Sequence, residues 1–143
     1  MILIYHSWAS VLIDSGASHS FLAFSFASAL GLEMEVFDPP LIVESPIGGH
    51  IPLSYICRQC EMTIEDRHFT FDFIVLDMAG FDLILGMDWL SSHHAIIDCY
   101  RRRVLIRDAD GEYFYFHRDR REPLTFIFFD PTKSSYIHCF LAS

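Results

Sequence analysis

Apolar residues along this chain fall into two patterns. Val11-Leu12-Ile13 is a continuous apolar run that ends on a carboxylate, Asp14. A short run of this kind reads as a buried strand. Leu83-Ile84-Leu85 is a second such run, closed by Gly86. Elsewhere apolar and polar positions alternate, as on half-buried strands. Ile51, Leu53, Tyr55 and Cys57 share one phase. The phase slips and restarts at Cys60, Met62 and Ile64, as a β-bulge requires. Phe69, Phe71, Phe73 and Val75 alternate again after the polar turn Glu65-Asp66-Arg67.

Helical signals are few. Phe21 to Leu30 is expected to form a short helix with Gly31 as its C-terminal cap. Met87 to Ser92 is expected to form about two helical turns. Pro39-Pro40 punctuates a strand region that resumes at Leu41-Ile42-Val43, and Pro46-Ile47-Gly48-Gly49-His50 is a strong turn signal. Ala95 to Cys99 and Val104 to Arg107 pattern as a hairpin, and Asp110-Gly111 turns the chain into Tyr113 to Phe116. Many short strands with regular turns predict an all-β domain with minor helix, barrel-like or sandwich-like. Beyond Arg118 the periodicity is lost. The expected organisation is one domain over 1–117 and a divergent, partly disordered tail over 118–143.

Composition narrows the function classes. The chain has 143 residues, 52% of them hydrophobic, which suits one domain with an ample core. The formal net charge is −9, with ten Lys and Arg in total. Phosphate backbones need clustered cations, so nucleic acid is not an expected partner. Arg101-Arg102-Arg103 reads as a charged strand edge that blocks unwanted pairing. No apolar run approaches the ~20 residues of a membrane helix, and the apolar start is broken by Tyr5 and His6 without a basic lead. No membrane association, an intracellular and cytoplasmic setting and reduced thiols are the default expectation.

Four cysteines occur, at Cys57, Cys60, Cys99 and Cys139. Structural zinc wants four ligands, and no second close pair accompanies Cys57 and Cys60. His68 and Cys99 complete a set only by a fortunate fold. A redox Cys-x-x-Cys belongs at a helix start in a βαβ setting, whereas this one lies on a strand. Free thiols packed beside a strand are the preferred reading. His93 and His94 are adjacent on the chain, so shared coordination is awkward. No metal or cofactor is expected.

Asp14-Ser15-Gly16-Ala17-Ser18 is the sharpest chemical signal. Alone, Asp-Ser-Gly is an ordinary Asx or Ser turn. In order along the chain, however, stand this loop, the Gly-tipped turn at Gly48-Gly49 and the Ile84-Leu85-Gly86 element. Together they resemble the retropepsin family of aspartic proteases. Asp14 to Phe21, Cys57-Arg58-Gln59-Cys60, Phe81 to Leu90 and His94 to Cys99 are similar to the protease segments of gypsy-type retrotransposon polyproteins.

The resemblance implies a single-lobe acid-protease barrel, half of a two-fold symmetric unit. Asp14 is the implied catalytic residue, in an active-site loop with Ser15, Gly16 and Ala17. Ile47, Gly48 and Gly49 are the implied flap over substrate, and Ile84, Leu85 and Gly86 the support behind the site. No second Asp-Ser/Thr-Gly is present, so a homodimer is implied, with Asp14 meeting its own copy. The implied substrate is extended polypeptide, its own polyprotein first. Only 13 residues precede Asp14 where the family carries a longer leader, which points to a fragment of a larger polyprotein. The alternative is a catalytically inactive remnant serving as a binding or scaffold module.

Overall fold

The computed structural model describes residues 2–44, 50–98, 100–101, 103–117, 124–130 and 135–141, with side chains over 2–36, 55–98, 100–101 and 103–116. In chain order the elements are β1 (Ile2–Ile4), β2 (Ser7–Trp8), β3 (Val11–Asp14), β4 (Phe21–Ala23), α1 (Phe24–Ala29), β5 (Glu35–Glu44), β6 (His50–Ile64) and β7 (Arg67–Leu76). They continue with β8 (Leu83–Leu85), α2 (Met87–Ser92), β9 (Ile96–Asp98), β10 (Arg103–Arg107), β11 (Tyr113–His117), β12 (Leu124–Asp130) and β13 (Ser135–Leu141).

Among the described residues the strands form one large curled sheet in the order β13-β12-β3-β8-β4-β7-β6-β1-β2, with β5 paired to β6. A separate three-stranded sheet runs β11-β10-β9. Most neighbours are antiparallel, but β3 lies parallel to both β8 and β12, and β4 lies parallel to β7. No helix among the described residues is long and apolar enough to cross a membrane.

The continuous apolar runs have a physical reason. Alternate residues on a strand face opposite sides. Val11 and Ile13 of β3, and Leu83 and Leu85 of β8, enter the main core with Leu22, Phe73 and Trp89. Leu12 and Ile84 enter a second cluster on the other face with Ala17, Phe21, Ile74 and Leu76. Strands covered on both faces cannot alternate with polar residues. The outer sheet contributes Val104, Ile106, Phe114 and Phe116 to the main core, so it closes one side of the same domain.

The expected helix over Phe21 to Leu30 is shorter. Phe21, Leu22 and Ala23 are all buried, in a strand between β7 and β8. Three consecutive buried positions suit a two-sided strand better than a helix, which buries one stripe. Helix α1 therefore begins at Phe24. It ends as the glycine signal predicts: Gly31 has φ +67°, its N–H donates to the Ser28 carbonyl, and the Leu32 N–H donates to Ala27. The helix α2 spans Met87–Ser92 as the pattern predicts.

The slip between Cys57 and Cys60 is a bulge: Cys57 lies opposite Phe73 and Cys60 opposite Phe71. Gln59 takes φ +50°, and its N–H donates to the Asp72 carboxylate at 2.7 Å. Positions three apart on a regular strand face opposite ways. The bulge brings both thiols into the core instead. The β6–β7 connection is a two-residue turn with Glu65 and Asp66 both at positive φ, and Ile64 pairs with Arg67 across it. Beyond Arg118, where periodicity predicts nothing regular, β12 pairs with β3 and β13 pairs with β12.

Candidate active site

Strand β3 runs through the core, buried along its whole length, and delivers Asp14 at its far end. Its neighbours β8 and β12 hold it in register, Leu85 beside Ile13 and Ile127 beside Asp14. Asp14 is 3% exposed, one of two buried polar or charged residues in the described structure. Its Oδ1 accepts the Gly16 N–H at 2.8 Å, and its main-chain carbonyl accepts the Ala17 N–H at 3.2 Å. Burial pushes the Asp14 carboxyl above the usual carboxylate range, because a charge loses solvation there. The amides of Gly16 and Ala17 oppose the shift by stabilising the ionised form. This is a carboxyl poised by its surroundings: among the described residues, burial and its own loop's amides set its ionisation.

The loop after Asp14 is backed by Gly86. A Cβ at position 86 would collide with the His19 carbonyl oxygen and stand 2.7 Å from the His19 carbonyl carbon and 2.8 Å from the Ala17 oxygen. Glycine is required because two backbones touch here. The two segments are also laced together: the Met87 N–H donates to Ala17 O at 2.7 Å, and the Asp88 N–H donates to Ser18 O at 3.3 Å. Ile84 and Leu85 bring this segment into place as the core of β8.

The sequence-derived residues therefore fall into three groups. Asp14, Ser15, Gly16 and Ala17 form one loop, and Ile84, Leu85 and Gly86 pack directly behind it. Ile47, Gly48 and Gly49 lie outside the described residues, between Glu44 of β5 and His50 of β6, which pair as the ends of a hairpin. Ser15 is half-buried on the rim of a groove of about 330 Å³ that Met87, Leu90, Ser91, His94, Ala95 and Ile97 also line. Met87 of α2 is 41% exposed there, and Ile96 is 59% exposed on β9, whose other edge pairs with nothing among the described residues.

Two residues without an assigned role in the sequence also belong to the site. Ser20 is buried, and its hydroxyl donates to Asp88 Oδ1 at 2.6 Å while accepting the Gly86 N–H at 2.9 Å. They stand 68 positions apart, so nothing in a single sequence announces their contact.

Cys57 and Cys60 sit away from this loop, both buried in the main core. The thiols touch each other. Cys60 is pushed up by its neighbouring thiol and by burial, while the hydrogen bond from Cys60 lowers Cys57. His93 lies stacked on Trp89 with ring centroids 4.4 Å apart and edge-on to Phe69, its Nδ1 at 2.8 Å from the Trp89 carbonyl. Burial pushes its pKa down. These are core contacts.

The chain matches the family model described as retroviral aspartyl protease over residues 1–112. It is 27% identical over 92 residues to "Protein DDI1 homolog 1" of Caenorhabditis elegans, covering 64% of this chain and 24% of that protein. The chain thus spans about a quarter of that relative's length. Among solved structures it resembles the retroviral protease-like domain of Ddi1 from Leishmania major, with a TM-score of 0.55 and 19% identity over 80% of this chain and 89% of that one. It also resembles the EIAV protease in an inhibitor complex, with a TM-score of 0.52 and 22% identity, covering 64% and 82% of the two chains. At these identities the structural likeness is one of fold. The relatives are Ddi1 proteins and a viral protease, so they support the retropepsin-like fold without singling out a gypsy-type polyprotein.

Proposed function

This chain belongs to the retroviral aspartyl protease family, and on that premise we propose that it is one lobe of an aspartic endopeptidase whose catalytic carboxylate is Asp14. The observation that carries this reading is the state of Asp14. It is buried at a strand end, raised in pKa by that burial, fixed by two amides of its own loop, and backed by a glycine that admits no side chain.

One lobe supplies one carboxyl, and the reaction uses two. A second copy of the chain brings its own Asp14 to a two-fold axis. Two carboxyls that close share one proton, since both cannot ionise cheaply. The ionised member takes a proton from a water held between them, and the protonated member donates to the carbonyl oxygen of the scissile peptide. Water attacks directly, so no acyl-enzyme forms. Ser15, on the rim of its groove, contacts the partner copy's loop. Ile47, Gly48 and Gly49 close over an extended substrate whose side chains enter alternate pockets. The substrate is polypeptide, its own polyprotein first, in an intracellular, cytoplasmic setting that keeps the thiols reduced. The likeness of Asp14 to Phe21 and Phe81 to Leu90 to retrotransposon protease segments supports the polyprotein setting.

The test is cleavage of an unstructured protein across mildly acidic to neutral pH by wild type and Asp14→Asn, with and without a statine-type inhibitor. Inhibitor-sensitive cleavage by wild type alone is expected. Cleavage by Asp14→Asn near the wild-type rate would overturn the assignment. Sedimentation at micromolar concentration checks the dimer, whose interface should bury more than ~1,000 Å² in total.

A further inference from the structure

We propose that Asp88 and Ser20 are positioning residues: the Asp88 carboxylate, acting through Ser20, clamps the Asp14 loop against Gly86 and so sets where the Asp14 carboxyl stands. The inference rests on the protease reading for its consequence in catalysis. The clamp itself rests on geometry alone.

Asp88 accepts from three donors. Its Oδ2 takes the Ser20 N–H at 3.2 Å, and its Oδ1 takes the Ser20 hydroxyl at 2.6 Å and the Trp89 N–H at 2.7 Å. The Ser20 hydroxyl has one proton, and Asp88 claims it. The oxygen's lone pairs are then fixed in direction, and one receives the Gly86 N–H at 2.9 Å. Ser20 is 1% exposed, which shields its hydroxyl from water, while Asp88 is half-buried. Its own carbonyl accepts the Ile74 N–H at 3.2 Å, which ties the clamp to β7.

Two short segments are thereby locked face to face. Residues 86–88 bond to Ser20 through Gly86 and Asp88, to Ala17 through the Met87 amide and to Ser18 through the Asp88 amide. Ala17 and Gly16 in turn hold Asp14. A hydrogen bond to an ionised acceptor is about twice as strong as a neutral one, so the carboxylate of Asp88 is the strongest fastening in the set. The nearby titratable groups are His19, whose Nδ1 lies 2.8 Å from the Ser18 hydroxyl, and Asp72. Asp72 faces Asp88 across a hollow also lined by Gln59, Thr70 and Phe71, and pairs with Arg58 at 3.7 Å.

Loosening the clamp withdraws the Gly16 and Ala17 amides from Asp14. Those amides hold its ionisation down against burial, so Asp14 should titrate at higher pH when they retreat. A residue that only added stability would not move that midpoint.

The experiment follows the Asp14 side-chain carboxyl by carbon-13 NMR through a pH titration of the full chain, in wild type, Asp88→Ala, Asp88→Asn and Ser20→Ala. Steady-state cleavage is measured in parallel. The expected result is a raised Asp14 midpoint in Ser20→Ala and Asp88→Ala. Asp88→Asn should shift less, because its side-chain oxygen keeps the bonds of Oδ1 and loses only the Ser20 N–H. Turnover should fall by roughly a hundredfold in the alanine variants with KM little changed, the effect of misplacing a reacting group by about 1 Å. If Asp88→Ala does not fold, Ser20→Ala and Asp88→Asn carry the comparison. An Asp14 midpoint equal to wild type in a folded variant overturns the proposal, even if activity falls. A wild type that cleaves nothing removes the protease reading, and the titration still decides the clamp.

Discussion

Gly86→Ala perturbs the loop without replacing a charged or polar side chain. The added methyl meets the His19 carbonyl group and the Ala17 oxygen, all backbone atoms. Moving the His19 carbonyl carbon from 2.7 Å out to the 3.4 Å of ordinary contact takes roughly 0.7 Å, and its oxygen must move further. Overpacking costs about 1–3 kcal/mol. The upper end applies, because backbone cannot swing aside as a side chain does. The Gly86 N–H to Ser20 bond and the Met87 N–H to Ala17 bond are strained by the same shift. A loss of about 3 kcal/mol follows, which for a chain of this size lowers Tm by about 10 °C. A loop displaced by most of an ångström should also cost roughly 30- to 100-fold in turnover. The assay pairs thermal unfolding with cleavage kinetics measured well below Tm. Gly31→Ala is the control: Gly31 has φ +67° with nothing near its missing Cβ, so alanine there costs about 1 kcal/mol through backbone strain. That variant should lose stability and keep its turnover. A Gly86→Ala protein with the wild-type Tm and turnover would refute the packing of this segment against the loop.

The remaining predictions concern separate parts of the molecule. Asp14→Asn should raise Tm at neutral pH: a carboxyl whose folded pKa is raised stabilises the fold below its unfolded pKa and loses that contribution as pH rises through the folded value, and Asn has no proton to lose. The gain should vanish toward low pH, and equal Tm differences at all pH values would contradict the cause given for the shift. Cys57 and Cys60 should resist a thiol reagent in the native protein and react at the rate of unfolding, since both are buried in the core; rapid native labelling of both would contradict their placement. Arg67→Ala should cost about 1 kcal/mol, because the half-exposed guanidinium pairs with Asp108 at 3.0 Å and lies 4.2 Å above the Phe114 ring. A double-mutant cycle with Asp108→Ala measures that coupling in chemical denaturation, and a coupling of zero leaves only the ring contact.

Much of this architecture was legible because each strand's pattern reports how many of its faces are covered. Val11 to Ile13 and Leu83 to Leu85 announce two-sided burial, and two core clusters take their alternate residues. The phase slip at Cys57 and Cys60 announces the bulge. Phe21 to Ala23 misled, since an apolar run continuing into a helix carries no mark where the strand stops. The parallel pairing of β3 with β8 and β12 was hidden for another reason: partners far apart in sequence are joined by register, and register leaves no trace in one chain's composition. Asp14 could be named from its loop, but the Ser20–Asp88 couple could not. Serine and aspartate are ordinary residues for a loop and a helix start, and only the fold reveals that the serine hydroxyl donates to the aspartate.

The placement of these groups also bears on the proposed pairing of two Asp14 carboxyls, because it shows how each lobe would bring a carboxyl already prepared. In the lobe alone, burial already makes Asp14 harder to ionise, and the Gly16 and Ala17 amides restrain that effect. A second carboxyl adds repulsion in the same direction as burial. Without the amides, both members of a pair would stay protonated well into the pH range where one must be charged to activate water. With rigid amides, one member of the proposed pair would ionise while the other keeps its proton. The amides can do this only if they cannot drift, and a six-residue loop on its own has no such rigidity. Gly86 supplies a wall with no side chain to yield, and Asp88 supplies the charged anchor. The demand on the loop is therefore electrostatic in purpose and steric in execution, which is why changes at Gly86 and Ser20 should be read first in the titration of Asp14.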